Sequence, residues 1–131
     1  RAMLQMERRL RPGEAGSSAI QEVRAILDAL AREDATFRAE AAEMFSRPAY
    51  ELPAGHELPM TLSAAATAHG RAAPMVGASF WADSGVLGQA GIPSVLFGPG
   101  GAGLHSAEEY VVVEDVLRCR DVLAETARRF C

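Results

Sequence analysis

Apolar residues at Ile20, Val23, Leu27 and Leu30 recur at the three- and four-residue spacing that lines one helix face, which predicts a helix over this stretch. Ser18, followed three positions later by Gln21, reads as a capping box that opens it. Residues 3–10 read as a strand that stops at Arg11-Pro12-Gly13-Glu14, where Pro-Gly marks a turn. Residues 37–46 are expected to form a second strand. Their alanines and glutamates would also suit a helix, but Arg47-Pro48 and Leu52-Pro53 close the segment with breakers.

Beyond Pro53–Gly55 the rhythm changes. Residues 57–69 read as a helix with Gly70 after its end, residues 75–80 as a strand, and residues 84–89 as a short helix closed by Gly91. Ile92 to Phe97 reads as a buried strand running into a glycine-rich loop. Val111 to Val113 can extend briefly before a helix from Glu114 to Phe130, with Val116, Cys119, Leu123 and Phe130 expected on its buried face. Glu114 and Asp115 at its start and Arg128 and Arg129 at its end suit the helix dipole. Helix, strand, helix, strand, loop, helix is the order of an α/β fold, and the expectation is part of a mainly parallel sheet covered by helices. The breaker-rich junction divides the chain into residues 1–54 and 55–131, expected to fold as separate units.

Composition narrows the class. The 131 residues are 49% hydrophobic and 23% charged, an ordinary globular balance, and the longest apolar tracts are interrupted well short of the ~18 residues a membrane span needs. A net charge of −4 and a pI near 5.4 argue against a nucleic-acid partner, which would call for a clustered basic footprint. Arg8, Arg9 and Arg11 form a small basic group that reads as a solvated or substrate-facing edge. Cys119 and Cys131 form neither a CxxC pair nor a disulfide framework, so a reducing, cytoplasmic setting is expected. The sequence opens at Arg1 with Met3 to Met6 already reading as mid-strand and with no signal-peptide pattern; the expectation is a piece of a longer protein.

The candidate chemistry gathers in "FGPGGAGLHSAEEYV", residues 97–111. Gly98 to Gly103 satisfies G-x-G-x-x-G, but the context of a dinucleotide site is missing. No helix opens inside the glycines, and the next acid, Asp121, lies in a helical pattern. His105 stands on a loop beyond the carboxyl end of an expected strand, where open α/β sheets gather ligand groups. It is either a surface loop histidine or a metal donor, with Glu108 and Glu109 as candidates to orient its second ring nitrogen. His69 reads as a residue at a helix C-terminus and His56 as solvent-facing. Asp83 is most simply an N-cap, although it follows an expected strand and could join the loop cluster; Trp81 reads as core packing.

"VGASFWADSGVLGQAGIPSVLFGPGGAGLHSAEEYV", residues 76–111, resembles the end of the catalytic domain in the dizinc peptidases and deacylases that include acetylornithine deacetylase, succinyl-diaminopimelate desuccinylase, aminoacylase, carboxypeptidase G and carnosinase. Residues 1–54, with "RRLRPGE" ending a strand as Arg-x-x-Pro, resemble the second half of that family's α+β lid or dimerisation domain. The resemblance implies that His105 is the last metal-ligating histidine. It implies that Gly100, Gly101 and Gly103 form the loop whose backbone approaches the substrate, and that Arg9 binds the substrate carboxylate through parallel N–H bonds. Asp83 falls in the family's Thr-Asp-Ala stretch, here Ala82-Asp83-Ser84, which lacks the threonine hydroxyl.

Two zincs per complete enzyme are implied, with cobalt or manganese as alternatives, together with a small peptide or N-acyl amino acid substrate and a homo-oligomer formed through the lid. The family's other metal ligands, its bridging aspartate, its general-base glutamate and its lid histidine have no counterpart in these 131 residues. The chain alone is therefore expected to be metal-free and inactive. The competing expectation is a non-catalytic domain that serves dimerisation or partner binding.

Overall fold

The computed structural model describes residues 2–131 and contains four helices and one two-stranded ladder: α1 (Ser18–Glu33), α2 (Glu57–Ala68), α3 (Ser84–Gln89), β1 (Gly101–Ala102), β2 (Tyr110–Val111) and α4 (Val113–Phe130). The chain divides into two compact units. One runs to Glu51 and includes Ser79–Trp81; the other comprises Leu52–Ala78 and Ala82–Cys131.

In the first unit α1 forms where its apolar spacing predicted it. The cap lies one residue earlier than expected: Ser17 is the N-cap, and the Gln21 side chain donates to Ser17 Oγ at 3.2 Å. Ser18 Oγ donates instead to the Ala15 carbonyl at 2.8 Å. Pro12-Gly13 makes the expected turn, with Gly13 at φ 80° and the Glu14 N–H donating to the Arg11 carbonyl at 3.0 Å. The strands expected at 3–10 and 37–46 are not formed. The two segments touch through Gln5 Nε2 and Met44 Sδ at 3.5 Å, with no backbone ladder between them.

The second unit is built on α2 against α4. Its core is Leu62, Ala65, Ala66 and Val122, with Ala73, Val95 and Phe97 packed around it. Pro59 sits in the first turn of α2, where its missing N–H leaves no helical bond unmade. His56 is the N-cap of α2 and half-buried, correcting the solvent-facing expectation: its Nδ1 accepts from the Leu58 N–H at 3.1 Å. At the other end Gly70 takes φ 77°, its N–H donates to Thr67 and the Arg71 N–H donates to Ala66, the paired bonds of a Schellman stop. Gly91 ends α3 with the same pair of bonds, to Gly88 and from Ile92 to Leu87.

The buried face of α4 is rotated from the expected one. Asp115, Val122 and Thr126 face inward with Cys119 half-buried, whereas Val116, Leu123 and Phe130 are exposed. The alanines of α2 allow close approach, and the polar groups that are turned in are satisfied. Thr126 Oγ1 donates to the Val122 carbonyl at 2.8 Å, and Asp115 accepts from two arginines. His69 Nε2 and Glu125 Oε2, 2.7 Å apart, clasp the C-terminus of α2 to α4, and Arg129 pairs with the same carboxylate.

The mainly parallel sheet is not formed among the described residues. β1 and β2 pair antiparallel, Gly101 opposite Val111 and Ala102 opposite Tyr110, and residues 75–80 and 92–97 join no ladder. Ile92 and Leu96 are exposed, so 92–97 is not a buried strand, although Val95 and Phe97 do pack on the core. Strand propensity is local, but a strand needs a partner row of N–H and C=O groups, and these segments have none.

Candidate functional site

The glycine loop is led out of the core by Phe97 and returns along β2. Between them β1 crosses so close to β2 that a Cβ at Gly101 would overlap the Tyr110 carbonyl. Gly103 has φ 79°, and a Cβ there would overlap the Glu108 carbonyl. Both positions therefore require glycine. The Gly103 carbonyl accepts from the Ser106 N–H at 2.8 Å, closing a tight turn with His105 inside it.

His105 has φ 62°, and no other non-glycine described residue has a positive φ. Left-handed backbone costs an L-residue about 1 kcal/mol, and histidine tolerates it better than most residues do. The side chain is exposed, and among the described residues no hydrogen bond joins it to Glu108 or Glu109. A shallow hollow of about 210 Å³ adjoins the turn, lined by Pro99, Gly101, Ala102, Leu104, Glu109 and Tyr110.

Gly100 meets a group that the sequence reading passed over. A Cβ there would stand 2.6 Å from Asp115 Oδ2. Asp115 is only 8% exposed, and its carboxylate accepts from Arg71 Nη2 at 3.0 Å and Arg118 Nη1 at 3.2 Å. Arg118 also reaches Glu114 at 2.5 Å. An acid in the first turn of a helix directly after a glycine loop was the one signal available; Arg71, 44 residues away, had none.

Asp83 does occupy the N-cap position of α3, but its side chain makes no capping bond. Its backbone carbonyl accepts from Val86 and Leu87 at 2.9 and 3.2 Å. The carboxylate is left exposed. Trp81 is not core packing: it is 41% exposed, with the Arg47 guanidinium 5.3 Å from its ring centroid.

In the first unit Arg9 is exposed, and its guanidinium pairs with Glu7 at 2.9 Å. Arg8 is spent on structure. It bonds to Glu14 at 2.6 Å and Glu22 at 3.1 Å, tying the Pro-Gly turn to α1. The Arg8 bond, and then the Arg11 N–H, hold the Glu14 carboxyl down at about 2 from an ordinary 4.5. A depressed carboxylate contributes stability above its unfolded value and loses it as pH falls through its folded one. The stabilisation of the turn is therefore expected to be complete above about pH 4.5, to weaken below it and to be lost as pH falls through about 2. NMR titration of the Glu14 carboxyl and the Arg11 amide would show a shared midpoint near the lower value, and a midpoint near 4.5 would count against the pairing.

No group of three or more His, Cys, Asp or Glu side chains is gathered for a metal among the described residues. His105 belongs to no such group.

Residues 8–129 match the profile of peptidase family M20/M25/M40. The chain belongs to that family. A curated relative, the acetylornithine deacetylase of Myxococcus xanthus, is 32% identical over 121 residues, which cover 92% of this chain and 30% of the relative. The chain thus spans less than a third of that M20 protein. No solved structure matches. Membership makes this part of a hydrolase family with peptidase and deacetylase members, and it sets the Arg9 and His105 segments within one matched region. Among the described residues no helix is long and apolar enough to cross a membrane.

Proposed function

We propose that this chain is the C-terminal part of a zinc-dependent amidohydrolase that cleaves the amide bond of N-acyl amino acids or dipeptides. Residues 1–54 would be the end of its lid and residues 55–131 the end of its catalytic domain, whose sheet becomes parallel when completed. The observation that carries this reading is His105: exposed, unbonded and held left-handed by glycines that admit no side chain. A strained residue persists where its surroundings over-determine it, and such residues cluster at functional sites.

In this reading His105 offers one imidazole donor, and the other donors come from outside these residues. The bare backbone of Gly100, Gly101 and Gly103 lets a substrate lie against the loop. Arg9 is paired with the exposed Glu7, a weak surface pair that a substrate carboxylate taking two parallel bonds would displace. Asp83 presents an exposed carboxylate without a capping duty. The lid would join two copies in a cytoplasmic homo-oligomer.

The test is to compare the 131-residue chain with the full-length protein, for metal content and for hydrolysis of acetylornithine, other N-acyl amino acids and dipeptides. The full-length protein should bind two zincs and lose turnover on chelation, and the chain alone should do neither. A full-length protein without metal or turnover on any of these would favour a non-catalytic dimerisation or partner-binding domain.

A further inference from the structure

We propose that Asp115 is a positioning residue for the glycine loop: its buried carboxylate is the rest on which Gly100 lies, and it fixes the path that the loop follows to His105. The inference rests on reading that loop as the substrate-facing edge of the site. Asp115 is anchored from two directions, by Arg71 beyond the end of α2 and by Arg118 one turn along α4. Oδ2 meets Arg71 and Oδ1 meets Arg118, so a rotation of the carboxylate would loosen at least one of these pairings, and a buried charge that loses its partners is strongly disfavoured.

Against this fixed group Gly100 brings bare backbone, close enough that any side chain would collide with Oδ2. The Gly100 carbonyl then accepts from the Val112 N–H at 2.9 Å, at the residue just before α4. From there the path has little freedom. Gly101 and Ala102 pair with Val111 and Tyr110, Gly103 turns at positive φ, and His105 follows inside the turn. The loop is thus registered to the first turn of α4 by one carboxylate and one backbone bond. A carboxylate that served only the helix dipole would not need to be buried or to meet a residue on the loop.

The test uses amide exchange and amide shifts in the 131-residue chain carrying Asp115→Asn, Asp115→Ala, Arg71→Gln, Gly100→Ala, or Gly100→Ala with Asp115→Ala. Each single change should speed Val112 N–H exchange about tenfold and move the amide shifts of residues 100–106, leaving Ala65 and Ala66 protected. Because Gly100 and Asp115 share one contact, the double variant should be no worse than Asp115→Ala alone. If Asp115→Ala does not fold, Arg71→Gln at an exposed residue and Asp115→Asn still decide the matter. Unmoved shifts and exchange in these variants, or fully additive effects in the double, would overturn the assignment. A full-length protein inactive on every amide tested, with the loop effects present, would overturn the functional reading and leave the positioning role standing.

Discussion

His105→Gly is expected to leave this chain at least as stable as it was and, in the full-length protein, to remove most of the hydrolytic activity. The stability half follows from the backbone. At φ 62° a histidine carries a conformational penalty of about 1 kcal/mol that glycine does not, and the exposed imidazole makes no bond that would be lost. Glycine also broadens the unfolded ensemble, which offsets part of the gain, so the net change should lie between zero and about 1 kcal/mol in favour of the variant. The activity half follows from the proposed role. Losing even a supporting partner of a metal site lowers affinity or activity about 10- to 100-fold, and a direct donor should matter at least that much. Thermal unfolding and turnover measured on the same preparations separate the two. A variant that is destabilised by more than 1 kcal/mol and still turns over normally would return His105 to an ordinary loop residue.

Val122→Asp should unfold the second unit. Val122 is 2% exposed and meets Leu62, Ala65 and Ala66, none of which can bond to a carboxylate. Losing the valine's burial costs about 1.5–3 kcal/mol, and an unpaired buried carboxylate costs several more. The sum, about 4 kcal/mol or more, is comparable to the whole stability of a small unit. Val122→Ala, which only removes two methyl groups, should cost about 2 kcal/mol and leave a folded chain. Circular dichroism should show helix loss in the aspartate variant, and NMR should confine it to the helices of the second unit, α2, α3 and α4, while signals of α1 persist. Retained dispersion of the Ala65 and Ala66 amides would mean that the core does not sit where the structure places it.

The sequence alone determined the features that depend on near neighbours. The helix at Ser18–Glu33 follows from apolar spacing, and those at Glu57–Ala68 and Ser84–Gln89 were marked by the glycines that stop them, all signals within a few residues of the bonds made. The loop and its histidine were legible for the same reason: glycine at 100, 101 and 103 marks backbone that must approach something. What it approaches was not legible. Whether Met3 to Leu10 or Ile92 to Phe97 becomes a strand depends on a partner row elsewhere in the chain, and none is supplied among the described residues. Which face of α4 turns inward was decided by packing: Val122 meets Leu62, Ala65 and Ala66 of α2, Thr126 and Asp115 are buried with their oxygens bonded, and Val116, Leu123 and Phe130 stay outside. The Asp115 carboxylate reached its place under Gly100 through Arg71, 44 residues away, and His69 found Glu125 across 56. Helices and turns are closed by bonds between neighbours along the chain, so one stretch of sequence specifies them. Sheets, buried faces and charge pairs are closed by groups that meet only when distant stretches pack, and the tertiary structure alone decides those.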